Sequence, residues 1–222
     1  MTDIAGLHRI ELEIVGAYVL ETDTGRVLVD TGLPNTTETL TSALERIGPP
    51  DLLILTHAHL DHVGGLPALG DIKVAAHTAE ADLLAQGETS RDLVPSEHCP
   101  PDLREMIKHK PNVDPVQVDV RLEDGDKVPG FPSLTVLHTP GHSAGHISLL
   151  WDDGADGVLI AGDAAANFGQ VVPPPVAEDF DVTFASLRRL AGLQFGAAVF
   201  GHGPVIASGG TAAFAGFAAA TA

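Results

Sequence analysis

Cysteine is nearly absent. Cys99 is the only one in 222 residues, so no disulfide can form within the chain. Basic residues are scarce as well: 12 Lys and Arg stand against 30 Asp and Glu, a formal net charge of -18 with His neutral. A surface this short of cations argues against nucleic acid as a partner, because that affinity rests on Lys and Arg neutralising phosphates. It argues equally against docking on an anionic membrane. No apolar run approaches the ~20 residues that span a bilayer. The opening MTDIAGLHRIELEIVG lacks a basic start, an apolar stretch of signal length and a small-residue cleavage site. The expectation is a soluble, cytoplasmic protein, monomer or homodimer, whose partner is a small molecule. Large amphipathic aromatics are limited to Trp151 and Tyr18, which read as packing residues.

What is present is an apolar fraction of 44%, enough for a packed core and incompatible with wholesale disorder. Short runs of Val, Ile and Leu separated by Gly, Pro and Asp read as strands: 10–15, 17–20, 27–29, 52–55, 72–75, 134–137, 147–150, 158–160 and 197–200. Helical spacing over 36–47, with Leu40, Ala43, Leu44 and Ile47 on one face, alternates with them. Further helices are expected at 78–86, 101–109, 182–190 and 211–220. The mixture points to a layered α/β fold. One domain over 1–222 is expected, with a charged, proline-rich excursion over the surface at about 87–132 that could act as a lid.

Eleven histidines are the unusual number, and their positions carry the chemistry. Thr56-His57-Ala58-His59-Leu60-Asp61-His62 follows the apolar run 52–55 directly. Four candidate ligands fall within six residues, an arrangement with a chance probability of about two in a thousand at these His and Asp frequencies. His57 and His59, two apart, share a face in extended chain. Imidazole and carboxylate are donors that zinc and similar divalent ions prefer. Three other apolar runs also end in such residues: 134–137 before His138-Thr139-Pro140-Gly141-His142, 158–160 before Gly162-Asp163, and 197–200 before His202. A fourth, 27–29, ends in Asp30. Strand ends meeting at one sheet edge bring distant residues together, as in many α/β sheets. Grouping by count gives His57, His59 and His142 for one ion, Asp61, His62 and His202 for a second, and Asp163 between them. Two divalent ions so placed can lower the pKa of a shared water to give a bridging hydroxide, with Asp61 orienting it or taking its proton.

Taken together, VDTG at Asp30, HAHLDH at 57–62, TPGHSAGH with His142, AGDA with Asp163 and FGHGP with His202 resemble the metallo-β-lactamase superfamily, in that family's order and over most of the chain. The resemblance implies a four-layer αββα sandwich with two metal ions, zinc first and iron or manganese as alternatives, at one edge of the sheets. It implies the same ligand grouping, with Asp30 fixing the HAHLDH loop. His146, four residues after His142, is a candidate supporting residue, and Asn167 and Phe168 are candidates for lining the substrate pocket.

Antibiotic-hydrolysing members often use a Cys ligand, whereas Cys99 here lies in the excursion. Glyoxalase II looks similar at every metal position, but its glutathione-holding basic residues have no counterpart, since no Lys or Arg follows Arg189. Some acyl-homoserine lactonases carry a Tyr three residues after the bridging Asp, a position that is Ala166 here. The expectation is a dinuclear metallohydrolase of the glyoxalase II-like branch, acting on a small thioester, lactone or ester. The alternatives are an iron-dependent persulfide dioxygenase, a phosphodiesterase and a non-catalytic metal-binding protein.

Overall fold

In the computed structural model, which describes residues 4–220, the chain forms two sheets face to face with helices on their outer faces. The first strands are β1 (Leu7–Leu12), β2 (Val15–Thr22), β3 (Gly25–Val29), β4 (Leu52–Ile54) and β5 (Val74–His77). Between them lie α1 (Thr37–Ile47) and the single turn α2 (Leu60–Val63), and after β5 comes α3 (Thr78–Leu84). The short β6 (Val94–Pro95) and α4 (Pro101–Met106) lead to β7 (Val120–Leu122), β8 (Lys127–Val128), β9 (Phe131–His138), β10 (Ile147–Trp151) and β11 (Val158–Ile160). Three two-residue strands follow: β12 (Ala166–Asn167), β13 (Val171–Val172) and β14 (Val176–Ala177). The chain closes with α5 (Phe180–Ala191), β15 (Ala197–Val199) and α6 (Gly210–Ala220).

The first sheet runs β1-β2-β3-β4-β5-β7, and the second β15-β11-β10-β9-β8. Strands β3, β4, β5 and β7 are mutually parallel. Strands buried on both faces read as unbroken apolar runs, and period two then sorts their side chains. Leu52 and Ile54 point between the sheets, where they meet Val136, Ile147, Leu149 and Ile160. Leu53 and Leu55 point the other way, onto Leu40, Ala43 and Leu44 of α1. In the second sheet Val158 and Ile160 face inward, while Leu159 faces Leu187 and Leu190 of α5 and Phe214 and Phe217 of α6. Three apolar layers between four structural layers make the αββα sandwich expected from the sequence.

The structure departs from the sequence reading in places. The expected strand 10–15 breaks at Glu13-Ile14, where Glu13 takes a positive φ of 62° and the chain reverses from β1 into β2. The excursion at 87–132 is not a free loop throughout. Val120–Leu122 pairs with β5 and Lys127–Val128 with β9, so its last third joins both sheets. Val113, Val116 and Val118 pack against the α1 side of the core. Such short strands among Asp119, Glu123 and Asp126 have no alternation long enough to show in sequence. Among the described residues no helix is long and apolar enough to cross a membrane.

Candidate metal centre

Each strand that ends in a ligand-type residue delivers it to the same edge of the sandwich. His57 follows β4, His142 lies in the turn between β9 and β10, Asp163 follows β11, and His202 follows β15. Asp61 and His62 sit on α2. The cluster resolves into three overlapping sets: His57, His59 and His142; His57, His62 and Asp163; and Asp61, His62 and His202, the ligand atoms of each within 4.8 Å of one another. His57, His62, His142 and Asp163 are buried, whereas His59, Asp61 and His202 are part-exposed and form the open side.

The hydrogen bonds fix which nitrogen of each ring faces the cluster. Thr56 donates its hydroxyl to Asp30 Oδ2 (2.8 Å), so its oxygen accepts from His57 Nδ1 at 3.0 Å. His62 Nδ1 donates to Asp30 Oδ2 at 2.7 Å. His142 Nδ1 donates to the Val176 carbonyl at 2.9 Å, and His202 Nδ1 donates to the Ile14 carbonyl at 2.7 Å. Each of these rings is left with an Nε2 directed at its neighbours. His142 Nε2 lies 3.2 Å from His57 Nε2 and 3.0 Å from His59 Nδ1. With the Nδ1 protons of His57 and His142 engaged elsewhere, two neutral rings present lone pairs to each other, an arrangement that a cation stabilises and a proton alone serves poorly. Asp163 Oδ2 stands 3.5 Å from His62 Nε2, 3.5 Å from His142 Nε2 and 3.2 Å from His202 Nε2, between the two sets. Asp163 Oδ1, His62 Nε2 and His59 Nε2 are buried without a hydrogen-bond partner. These residues fit divalent ions, through nitrogen and oxygen donors with no thiolate.

Electrostatics divide the cluster the same way. Burial, and then the charges of neighbouring histidines, push His57 far down and His59 down to about 3, so both are neutral imidazoles. Burial also lowers His142. His202 is raised to about 10 by the Asp163 carboxylate, which outweighs its burial. Burial opposes charge on His62, but Asp163, Asp30 and Asp61 together raise it well above the ordinary range. Burial likewise opposes charge on Asp61, yet His62 and His202 hold its carboxyl low.

The supporting residues are built from the sequence motifs. Asp30, with φ 61°, accepts from Thr56 N and Oγ1 as well as from His62, and Thr31 donates its backbone N–H and its hydroxyl to the His62 carbonyl. His146 packs beside the cluster, its ring centroid 5.2 Å from that of His57, but both of its nitrogens are engaged. Its Nδ1 donates to Thr139 Oγ1 at 2.8 Å, and its Nε2 accepts from the Asp163 backbone N–H at 2.9 Å. Gly201 is required by close approach, since a Cβ there would lie 2.0 Å from Asp163 Oδ1. The structure also shows partners that the sequence reading passed over: Thr56, the carbonyls of Ile14 and Val176, and Glu80. Backbone carbonyls have no sequence signature.

The two residues read as pocket lining differ. Asn167 is buried, its Nδ2 donating to the Pro204 carbonyl and its Oδ1 accepting from Gly169 N, so its side chain braces the loop carrying His202. Phe168 is 67% exposed beside it. Trp151 and Tyr18 are buried in the inter-sheet core. His98 is exposed, and Cys99 is buried.

Comparison with known proteins agrees with this geometry. The chain is 30% identical to an N-acyl homoserine lactonase from a Bacillus species over 79% of this chain and 74% of that one. It is 31% identical to thioesterase pkgB of Emericella nidulans over 89% of this chain, which spans about half (48%) of that relative. Among solved structures, a beta-lactamase from Chitinophaga pinensis superposes with a TM-score of 0.72 at 23% identity, covering 97% of this chain and 88% of that one, a likeness of fold. The profile of the metallo-beta-lactamase superfamily matches residues 11–202, and the chain belongs to that superfamily.

Proposed function

We propose that this protein is a dinuclear metal-dependent hydrolase that cleaves a small thioester, lactone or other carboxylic ester. The observation that carries the reading is the position of Asp163 Oδ2 between two sets of converging imidazoles, of which His57, His62, His142 and His202 have their outer nitrogens tied down. Divalent ions, zinc by preference for this donor set, supply Lewis acidity for a carbonyl and lower the pKa of water when bound. His57, His59 and His142 would hold one, and Asp61, His62 and His202 the other, with Asp163 shared. Asp61, on the open side with its Oδ2 3.4 Å from His202 Nε2, would orient an attacking water and take its proton. The Ile14 carbonyl accepts from His202 Nδ1, and Phe168 follows Asn167, whose N–H donates to the His202 carbonyl; their side chains, 56% and 67% exposed, would offer apolar surface to an acyl group beside His202. The two relatives, an N-acyl homoserine lactonase and a thioesterase, support an acyl substrate.

Elemental analysis of the purified protein, run beside a panel of thioester, lactone, phosphodiester and β-lactam substrates, tests this. Two equivalents of metal with thioester or lactone turnover are expected, and Asp61→Asn should lower that turnover by about 10²–10⁴-fold. Full metal loading without turnover on any member of the panel refutes the hydrolase reading. Oxygen uptake with a persulfide by an iron-loaded protein replaces it with a dioxygenase.

A further inference from the structure

Glu80 lies on the first turn of α3, outside every sequence motif of the site, and is fully buried. Its Oε2 accepts from the backbone N–H of Ala58, the residue between His57 and His59, at 2.9 Å. Its Oε1 accepts from Gly145 N at 2.8 Å and Ser143 Oγ at 3.0 Å, in the turn that carries His142. One carboxylate thus ties together the two loops that supply the three-histidine set. The approach is close: a Cβ on Gly145 would lie 2.7 Å from Glu80 Oε1.

A counter-charge completes the arrangement. Arg91, from the start of the excursion, places Nη1 3.3 Å from Glu80 Oε1 and 3.5 Å from Glu178 Oε1, while its Nη2 donates to the Ala79 carbonyl at 2.6 Å. Glu178 Oε2 accepts from Ala144 N at 2.9 Å, and the Glu178 backbone N–H donates to the His142 carbonyl at 3.2 Å. Ser143, Ala144 and Gly145 are therefore all held by two carboxylates that face one guanidinium. Among the described contacts, no hydrogen bond or ion pair joins Glu80, Glu178 or Arg91 to Asp61, His62 or His202. The Asp30 network serves His62 and reaches His57 through Thr56, but it does not touch the His142 turn.

We propose that Glu80, with Arg91 as its counter-ion, is a positioning residue that sets the metal affinity of the His57/His59/His142 half of the centre independently of the Asp61/His62/His202 half. This rests on the metal-dependent reading above. The residue has to be an acceptor on both oxygens. Glutamine has the right size but must turn an NH₂ toward either the Ala58 N–H or the Gly145 N–H and Ser143 hydroxyl, which pushes the two loops apart.

The test is a Co2+ titration of the metal-stripped full chain, followed by d–d absorption with chelator competition. It uses the wild type, Glu80→Gln and Arg91→Met, with His59→Ala marking the band of the three-histidine half. The wild type is expected to take up two equivalents. In Glu80→Gln the three-histidine equivalent should bind about 10–100-fold more weakly, the range for a lost supporting partner, while the other equivalent is unchanged. Unchanged affinity of both equivalents, or equal weakening of both, overturns the proposal; equal weakening would mean that Glu80 only supports the fold. If Glu80→Gln does not fold, the half-exposed Arg91→Met decides, and unweakened three-histidine binding there overturns it as well. A wild type that takes up no metal defeats the metal-dependent reading itself, and that outcome is read without any variant.

Discussion

Asp30→Asn offers the sharpest test of how the centre is held. Asp30 has φ 61°, a conformation Asn adopts about as readily as Asp, so the substitution leaves the backbone unstrained and isolates the side-chain bonds. Three donors converge on this carboxylate: Thr56 N–H on Oδ1 at 2.8 Å, and Thr56 Oγ1 at 2.8 Å and His62 Nδ1 at 2.7 Å on Oδ2. The better orientation of Asn keeps its carbonyl at the Oδ2 position and turns its NH₂ against the Thr56 N–H. One hydrogen bond is lost and two donors face each other in a buried site, which costs about 1–3 kcal/mol. The bond to His62 also weakens, since an amide oxygen accepts less strongly than a carboxylate. Urea unfolding of the metal-stripped protein should therefore show a lower midpoint at unchanged m-value, with ΔG reduced by that amount. Metal titration should show a 10–100-fold weaker equivalent at the His62 half, on the order found for lost supporting partners. Asp30→Ala should be worse by about 1 kcal/mol, because Ala is strained at positive φ. If Asp30→Asn unfolds at the wild-type midpoint and binds both equivalents as tightly, the network does not hold the centre and the argument fails.

Three further outcomes follow from the same geometry. Gly201→Ala places a Cβ 2.0 Å from Asp163 Oδ1 and 2.9 Å from His62 Cε1, so elemental analysis should find both metal equivalents reduced; a fully loaded variant would contradict the packing described. Tyr18, buried in the core, donates to the Phe200 carbonyl at 2.6 Å, and Tyr18→Phe should lower ΔG of unfolding by about 1 kcal/mol, with no change in midpoint refuting that contribution. His77, stacked on His138 with ring centroids 4.1 Å apart, is pushed below its ordinary 6.5 by burial and by the His138 charge. Below that pH the unfolded chain binds more protons than the folded one, so this contribution is complete above about pH 6.5 and is lost as pH falls through the folded value. Thermal midpoints measured from pH 7.5 to 5.5 should fall less steeply in His77→Asn, whose amide oxygen can still accept from Ala79 N; equal slopes would show that His77 does not titrate with unfolding.

The candidate ligands were legible as a group because four of them sit within six residues and the others follow apolar runs closely. A strand end is a local feature, so the sequence marks it wherever its partners lie. The helices at 36–47, 78–86 and 182–190 were legible for a similar reason, their periodicity being local, and they appear as α1, α3 and α5 within a few residues at each end. Glu80 was not legible. An acid on the first turn of a helix reads as an ordinary complement to the helix dipole, and nothing nearby in sequence shows that its carboxylate meets Ala58 and Gly145. The place of Asn167 after Asp163 suggests a pocket-lining side chain, but that side chain is bonded to the Pro204 carbonyl, a partner 37 positions away.

The sequence by itself determined the donor types, their placement at strand ends and the α/β alternation, since residue identity and short-range periodicity are written along the chain. Tertiary structure decided which nitrogen of His57, His62, His142 and His202 faces inward, which hydroxyl, carboxylate or carbonyl holds the other, and that β7 and β8 extend the sheets out of a stretch that looked like surface. Those features depend on hydrogen-bond partners up to 188 positions apart, as for His202 and Ile14, and only the packing of two sheets brings such groups within bonding distance.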